Sequence, residues 1–209
     1  MRQIFICSLT LFFLTISFIS NAYAEEKHVS APRIEMLDDA TMDKLVKLPE
    51  PSAPHQMLSS LIGTWYYTIK YWTKEGADAQ ISTGLITNEM ILDGRFLSSK
   101  TSLLLNIGGQ YIPYEGWGIL GFDTIKNIYT SVWVDTMRTG MMTGTGKYNE
   151  QLKAIEEKGF FTHPLIKKEQ AYRSELQFTS DDIHKRTVFI TDKSGKEFKV
   201  LEIEFSRQR

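Results

Sequence analysis

The chain has a single cysteine, Cys7, among 209 residues. It lies inside an apolar run at the very start, so removal of that run would leave neither thiol nor disulfide. This excludes thiol catalysis and a small disulfide-stapled scaffold, and leaves the core to hold the fold unaided. Excess charge of either sign is also missing, with 24 Lys+Arg against 25 Asp+Glu. No basic stripe exists to neutralise phosphates, so nucleic acid is not an expected partner. The small clusters Lys167-Lys168 and His184-Lys185-Arg186 read as solvated strand faces or turns. His28, His55, His163 and His184 include no pair at metal-ligand spacing, and no cysteine can help, so no metal site is expected. No G-x-S-x-G or other nucleophile motif occurs, and no catalytic residue stands out. Proline is scarce and lopsided: Pro32, Pro49, Pro51 and Pro54 are four of only six.

What is present begins with a targeting pattern. Arg2 supplies a positive start, Ile4 to Ile19 is largely apolar, and Ala22-Tyr23-Ala24 forms a cleavage site before Glu25-Glu26-Lys27. Residues 1–24 therefore read as a secretory signal peptide cut after Ala24, and a periplasmic or secreted location is expected. The run is short for a spanning helix, so no stable membrane insertion is expected after cleavage. Residues 25–52 read as a flexible leader with one short helix, Asp38 to Leu48, in which Met42, Leu45 and Val46 share a face. Pro54 suits the first turn of a second short helix, His55 to Ser60, stopped by Gly63.

From Thr64 the pattern turns to period two. Strands are expected at Trp65–Trp72, Ile81–Leu92, Arg95–Leu105, Tyr111–Phe122, Asn127–Asp135, Gly140–Tyr148, Ala154–Phe161, Ala171–Thr179, Lys185–Thr191 and Glu197–Ser206. Asp93-Gly94 reads as a two-residue hairpin turn, and Ser194-Gly195 turns the last hairpin. Closely spaced strands without helices between them predict an all-β, antiparallel meander over 53–209. Closure into a barrel of about ten strands removes the two edges an open sheet would expose.

Several residues are candidates for binding. Trp65, two residues after Gly63, either plugs one barrel end or walls a pocket; the plug is the simpler reading. Gly116, Gly118 and Gly121 weaken their strand unless a barrel bend or a nearby group needs the room. Tyr129, Ser131, Trp133 and Asp135 share one face, and either that face or the β-branched face opposite could line a lumen. Asp135 sits where a strand enters a loop, where an Asx-type turn competes with a chemical role. Arg95 could pair with Asp135, Glu89 or Glu202 inside the barrel, or sit on the rim, and Glu202 reads as solvated. Lys199, Leu201, Ile203 and Phe205 form the more apolar face of the last strand.

The order Pro54-His55-x-x-Leu58-x-x-Leu61-x-Gly63-Thr64-Trp65, Leu92-Asp93-Gly94-Arg95-Phe96-Leu97, Tyr114-x-Gly116-x-Gly118-x-x-Gly121-Phe122-Asp123 and Val132-Trp133-x-Asp135-Thr136-Met137-x-Thr139-Gly140 resembles a bacterial secreted domain-of-unknown-function family in the calycin superfamily. The resemblance spans about residues 53–206. It implies a calycin-like, lipocalin-like barrel and brings no assigned activity. Gly63-Thr64-Trp65 and the strand count also resemble the haem-binding nitrobindins. His184 is the best-placed residue for their proximal ligand, without a matching motif around it, and no cofactor is expected.

Three functional readings follow. The first is an exported binding protein for a small apolar or amphipathic ligand, with Trp65, Tyr67, Trp117, Trp133 and Met141 as walls and Arg95 and Asp135 as polar anchors. The second is an enzyme with Asp135 as base and Arg95 as its partner. The third is a packed barrel whose outer face or leader binds another protein.

Overall fold

The computed structural model describes residues 38–47, 50–163, 167–191 and 195–209. The expected signal peptide, most of the leader, and Ser194 of the last turn lie outside the described residues. Helix α1 (Asp39–Lys47) forms as expected, but Met42 and Leu45 remain exposed rather than facing a core. Helix α2 (Ala53–Ser59) starts at Pro54 in its first turn. The buried His55 ring anchors that turn, its Nδ1 accepting the Ser52 N–H at 3.0 Å. No described helix is long and apolar enough to cross a membrane.

Ten antiparallel strands follow: β1 (Gly63–Tyr71), β2 (Gln80–Ile91), β3 (Phe96–Ile107), β4 (Gln110–Asp123), β5 (Ile128–Asp135), β6 (Met142–Asn149), β7 (Ala154–His163), β8 (Lys168–Ser180), β9 (Ile183–Thr191) and β10 (Glu197–Arg207). Each pairs with its sequence neighbour, and β10 returns to β1, with Trp65 opposite Arg207 and Tyr71 opposite Leu201. The barrel is closed. The expected all-β meander is therefore what forms, because alternating side chains of opposite character fit a sheet with one face inside.

Two local details depart from the sequence reading. The β2–β3 connection is four residues, Leu92 to Arg95, not a two-residue turn. Leu92, Asp93 and Gly94 all take positive φ, and the Arg95 N–H donates to the Ile91 carbonyl. In β10 the register shifts between Lys199 and Leu201. The extra residue, Val200, turns Lys199 outward, where its ammonium sits 4.6 Å from the Trp72 ring centroid and bonds Glu202. The expected alternation thus holds only from Leu201 onward, since a bulge restarts the count. Glu202 is mostly buried and salt-bridged to Lys185 and Lys199 on the outer face, rather than simply solvated.

Helix α2 closes one end of the barrel. Leu58 and Leu61 pack with Leu97, Leu120, Tyr129, Ile155 and Leu176 in one apolar cluster. Trp65 is 1 % exposed and belongs to a second cluster with Tyr67, Ile86 and Phe205. Its indole Nε1 donates to the Leu61 carbonyl at 2.8 Å, and Asn88 Nδ2 donates to the same oxygen at 2.9 Å. Arg207 then covers the Trp65 ring at 4.1 Å and donates to the Ile62 and Ser60 carbonyls at 2.7 and 2.8 Å. Deleting the indole removes packing and leaves a cavity beneath the helix. Trp65→Ala is expected to cost about 3–5 kcal/mol, read as a lower urea midpoint. A loss below about 1 kcal/mol would show that the plug is not structural.

Candidate ligand cavity

Inside the closed barrel lies a cavity of about 440 Å³. It runs from Leu61 at the helix-covered end to Tyr71, Ile107, Met137 and Arg138 at the other, where it reaches solvent. The wall is largely apolar, from Ile69, Leu103, Leu120, Trp133, Val188 and Ile203 among others. The volume falls within the range of about 300–1,000 Å³ usual for small-molecule pockets.

Glycines let large side chains lie close against this wall. A Cβ on Gly116 or Gly118 would stand 2.4 or 2.5 Å from the Trp133 ring, so β4 carries glycine where that indole lies flat against it. Close approach of a ring, and not curvature alone, accounts for the glycines there. The polar, aromatic face of β5 is therefore the inner one, and the Trp133 indole N–H donates to the Tyr114 hydroxyl at 3.1 Å. Gly144 acts likewise: its absent Cβ would meet both the Glu157 carboxylate and the Tyr172 hydroxyl at 2.4 Å.

Two polar groups of residues face the cavity. At the mouth, Asp135 accepts the Met137 N–H at 2.9 Å and pairs with Arg138 at 3.1 Å. The Asx-type turn expected there is present, with an ion pair added. Arg138 also lies 5.2 Å over the Phe161 ring. Deeper, Glu157 is 3 % exposed and its carboxylate accepts the Tyr172 hydroxyl. Arg186 Nη1 approaches the fully buried Ser174 hydroxyl at 3.4 Å. His184 is 4 % exposed, stacked on Phe205 with centroids 4.3 Å apart and edge-on to Trp65 at the same distance. Its Nδ1 is buried without a hydrogen-bond partner, as is Asn88 Oδ1.

Burial sets the protonation of these groups. It raises the Tyr172 hydroxyl, with Glu157 adding to the effect, and raises Tyr114, with Asp135 adding to it. Tyr67 is raised by burial as well, so the lumen phenols remain donors near neutrality. Thr101 donates to the Leu85 carbonyl at 2.7 Å and accepts from Tyr67 at 2.8 Å. His184 is pushed down to about 3, by burial first and then by Arg186 and Arg207.

The sequence candidates separate accordingly. Tyr67, Trp133 and Asp135 line the cavity. Trp65 does not line the cavity; it is buried against the helix-covered end, its indole bonded to the Leu61 carbonyl. Trp117 lies on the outer face with its indole N–H on Ser98 Oγ at 3.0 Å, because odd positions of β4 point outward there. Met141 is exposed, in the loop after Asp135, and the neighbouring Met142 lines the cavity instead. Arg95 sits in the β2–β3 connection at the end opposite Asp135 and bonds the Leu92 carbonyl and Asp93. An Arg95–Asp135 pair is ruled out by that separation; Arg138 partners Asp135. His184 and Arg186, expected on a solvated strand, face inward, and Glu157 was not singled out at all. The available signal was a lone acid on the otherwise apolar or small face Ile155, Glu157, Gly159, Phe161. Among the described residues no cluster of His, Cys, Asp and Glu could hold a metal ion.

Residues 50–207 match the family described as "Protein of unknown function (DUF1579)". The chain belongs to that family. No curated protein sequence matches it. Among solved structures it is similar to the S-type phycobiliprotein lyase CPES from Guillardia theta, at 11% identity and TM-score 0.53, covering 76% of this chain and 94% of that one. It is also similar to Rv2717c from M. tuberculosis, at 15% identity and TM-score 0.56, covering 77% of this chain and 100% of that one. These likenesses are of fold.

The state of His184 has a consequence for acid stability. Its proton is refused by the folded chain down to about pH 3 but taken by the unfolded chain near the ordinary value of 6.5. The stability it contributes is complete above that value and is lost as pH falls toward about 3. His184→Leu is expected to remove a slope of up to about 1.4 kcal/mol per pH unit in this window, seen in urea unfolding at pH 7, 5 and 4. Identical pH dependence in both proteins would refute a neutral buried imidazole.

Proposed function

We propose that this chain is an exported carrier or sensor barrel that holds a small apolar or amphipathic molecule in its lumen. The observation that carries the reading is the cavity itself: apolar walls with a few convergent polar groups, open at one end of a closed barrel. The likeness to a phycobiliprotein lyase supports a ligand-handling barrel at the level of fold. The alternative of a packed barrel is disfavoured by a lumen that its own side chains leave unfilled. The alternative of an enzyme built on Arg95 and Asp135 has lost its geometry.

Binding is tested with N-phenyl-1-naphthylamine, an uncharged fluorophore that brightens in apolar surroundings. Wild-type protein is expected to take it up, and Leu103→Trp, which fills the lumen, to weaken uptake at least tenfold at an unchanged thermal midpoint. Native mass spectrometry of protein purified from its host should show a reproducible extra mass that a denatured control lacks. Failure of uptake together with a clean apo mass would overturn the reading.

Export is supported by the pattern of residues 1–24. N-terminal sequencing of the protein from fractionated host cells is expected to begin at Glu25, in the envelope or the medium. A chain beginning at Met1 or Arg2 in the cytoplasmic fraction would contradict it.

A further inference from the structure

The deep end of the cavity holds two opposite charges that do not meet. Glu157 is almost wholly buried, and Tyr172 is the residue that donates to it. Arg186 forms no ion pair with any described residue; its contact is the Ser174 hydroxyl, at a weak 3.4 Å. Ser174 stands directly opposite Glu157 across the β7–β8 ladder, and Arg186 comes from the next strand, β9. Acid and guanidinium thus come from the two strands that flank β8, both line the cavity, and no ion pair joins them. Arg186 nevertheless acts electrostatically on both Tyr172 and His184, so it stands among these side chains.

A buried carboxylate and a partly buried guanidinium are costly unless paired or hydrogen-bonded. Their direct contact would be the simplest remedy, and the structure does not use it. Instead the carboxylate accepts from Tyr172, and glycine at 144 leaves the room in which those two side chains meet. What remains is a gap with acceptor capacity on one side and donor capacity on the other, at the floor of an apolar tube.

We propose that Glu157 and Arg186 together read an uncharged ligand head that pairs a hydrogen-bond donor with an acceptor, a carboxamide being the simplest example. This rests on the binding reading above and names the ligand class for that cavity. Arg186 would donate to the carbonyl oxygen and Glu157 would accept the amide N–H. The apolar remainder of the ligand would lie along Ile69, Leu103, Trp133 and Val188 toward the mouth. Charge balance argues against an ionic head. An anion would satisfy Arg186 but bring a second negative charge beside Glu157, and a cation would do the reverse beside Arg186. An uncharged head leaves the pair neutral overall.

The test compares dodecanamide, dodecanoate and dodecylamine, three ligands with one tail length, as competitors for bound N-phenyl-1-naphthylamine at pH 7.5. Dodecanamide is expected to compete at least tenfold better than either charged probe. In Glu157→Gln, which keeps an acceptor for Tyr172, the discrimination against dodecanoate should fall at least fivefold. In Arg186→Met, the discrimination against dodecylamine should fall by a similar factor. Circular dichroism and the thermal midpoint establish that each variant is folded, and the wild-type order alone decides the matter should a variant fail to fold. Dodecanoate equal to or better than dodecanamide in the wild type would overturn the inference in favour of a plain anion site. Dodecylamine equal to or better than dodecanamide would overturn it in favour of a cation site. If the fluorophore binds but none of the three displaces it, the head-reading inference fails and the carrier reading stands. If the fluorophore itself does not enter and native mass spectrometry shows a clean apo mass, the carrier reading fails and this inference falls with it.

Discussion

Everything in this molecule depends on the seam where the last strand meets the first. A ten-strand meander is an open sheet until β10 pairs with β1, and the pairing must be won across nearly the whole domain. Backbone bonds alone do not select this partner, because any free edge offers the same groups. The selection comes from side chains clustered at the seam. The Leu61 carbonyl, just past helix α2, gathers the Trp65 and Asn88 donors, and Arg207 folds over the indole while bonding the carbonyls of Ser60 and Ile62. One arginine thereby ties the end of the chain to the helix, the plug and the first strand. The same cluster caps the barrel, so closure of the sheet and closure of one end share the same side chains.

That arrangement explains why the interior need not be filled. In an open sandwich the core must be continuous, since facing sheets are held by their side chains alone. Here a complete ring of backbone bonds and a sealed end carry much of the structural work. The lumen can then be lined by apolar side chains with a few tyrosines and serines among them, without those side chains meeting across the axis. Small residues opposite large flat ones recur: Gly116 and Gly118 under Trp133, Gly144 beneath Glu157 and Tyr172. The rings lie against the wall and leave the axis free.

The strand order, the strand count and the helix-to-barrel transition were legible because they rest on period-two patterning and on proline and glycine punctuation. The inside of the barrel was much less so. For β5 both faces were plausible linings, and only the glycines of the neighbouring strand decide that Trp133 points inward. The bulge at Val200 could not be counted from alternation, so Lys199 was assigned to the apolar face. Arg95 and Asp135 could be named together from sequence, but Arg95 precedes β3 and Asp135 ends β5, and in a meander those ends belong to opposite barrel mouths. His184 and Arg186 were hidden by Lys185 between them: a charged triplet reads as a wet surface, although its two outer members share the inner face. Polar residues in a lumen follow the same alternation as surface ones, and their burial becomes visible only when the sheet closes around them.

The sealed end also sets how the tube can discriminate. With α2 across one end, whatever enters must leave by the way it came, and its leading group alone reaches the floor. The trailing part stops wherever its own length places it, within the tube or beyond the mouth. As the carrier proposed above, such a vessel would be exacting about the first few atoms of a molecule and permissive about the last. Chains of different length could share one residence, sorted by how they begin and not by how they end.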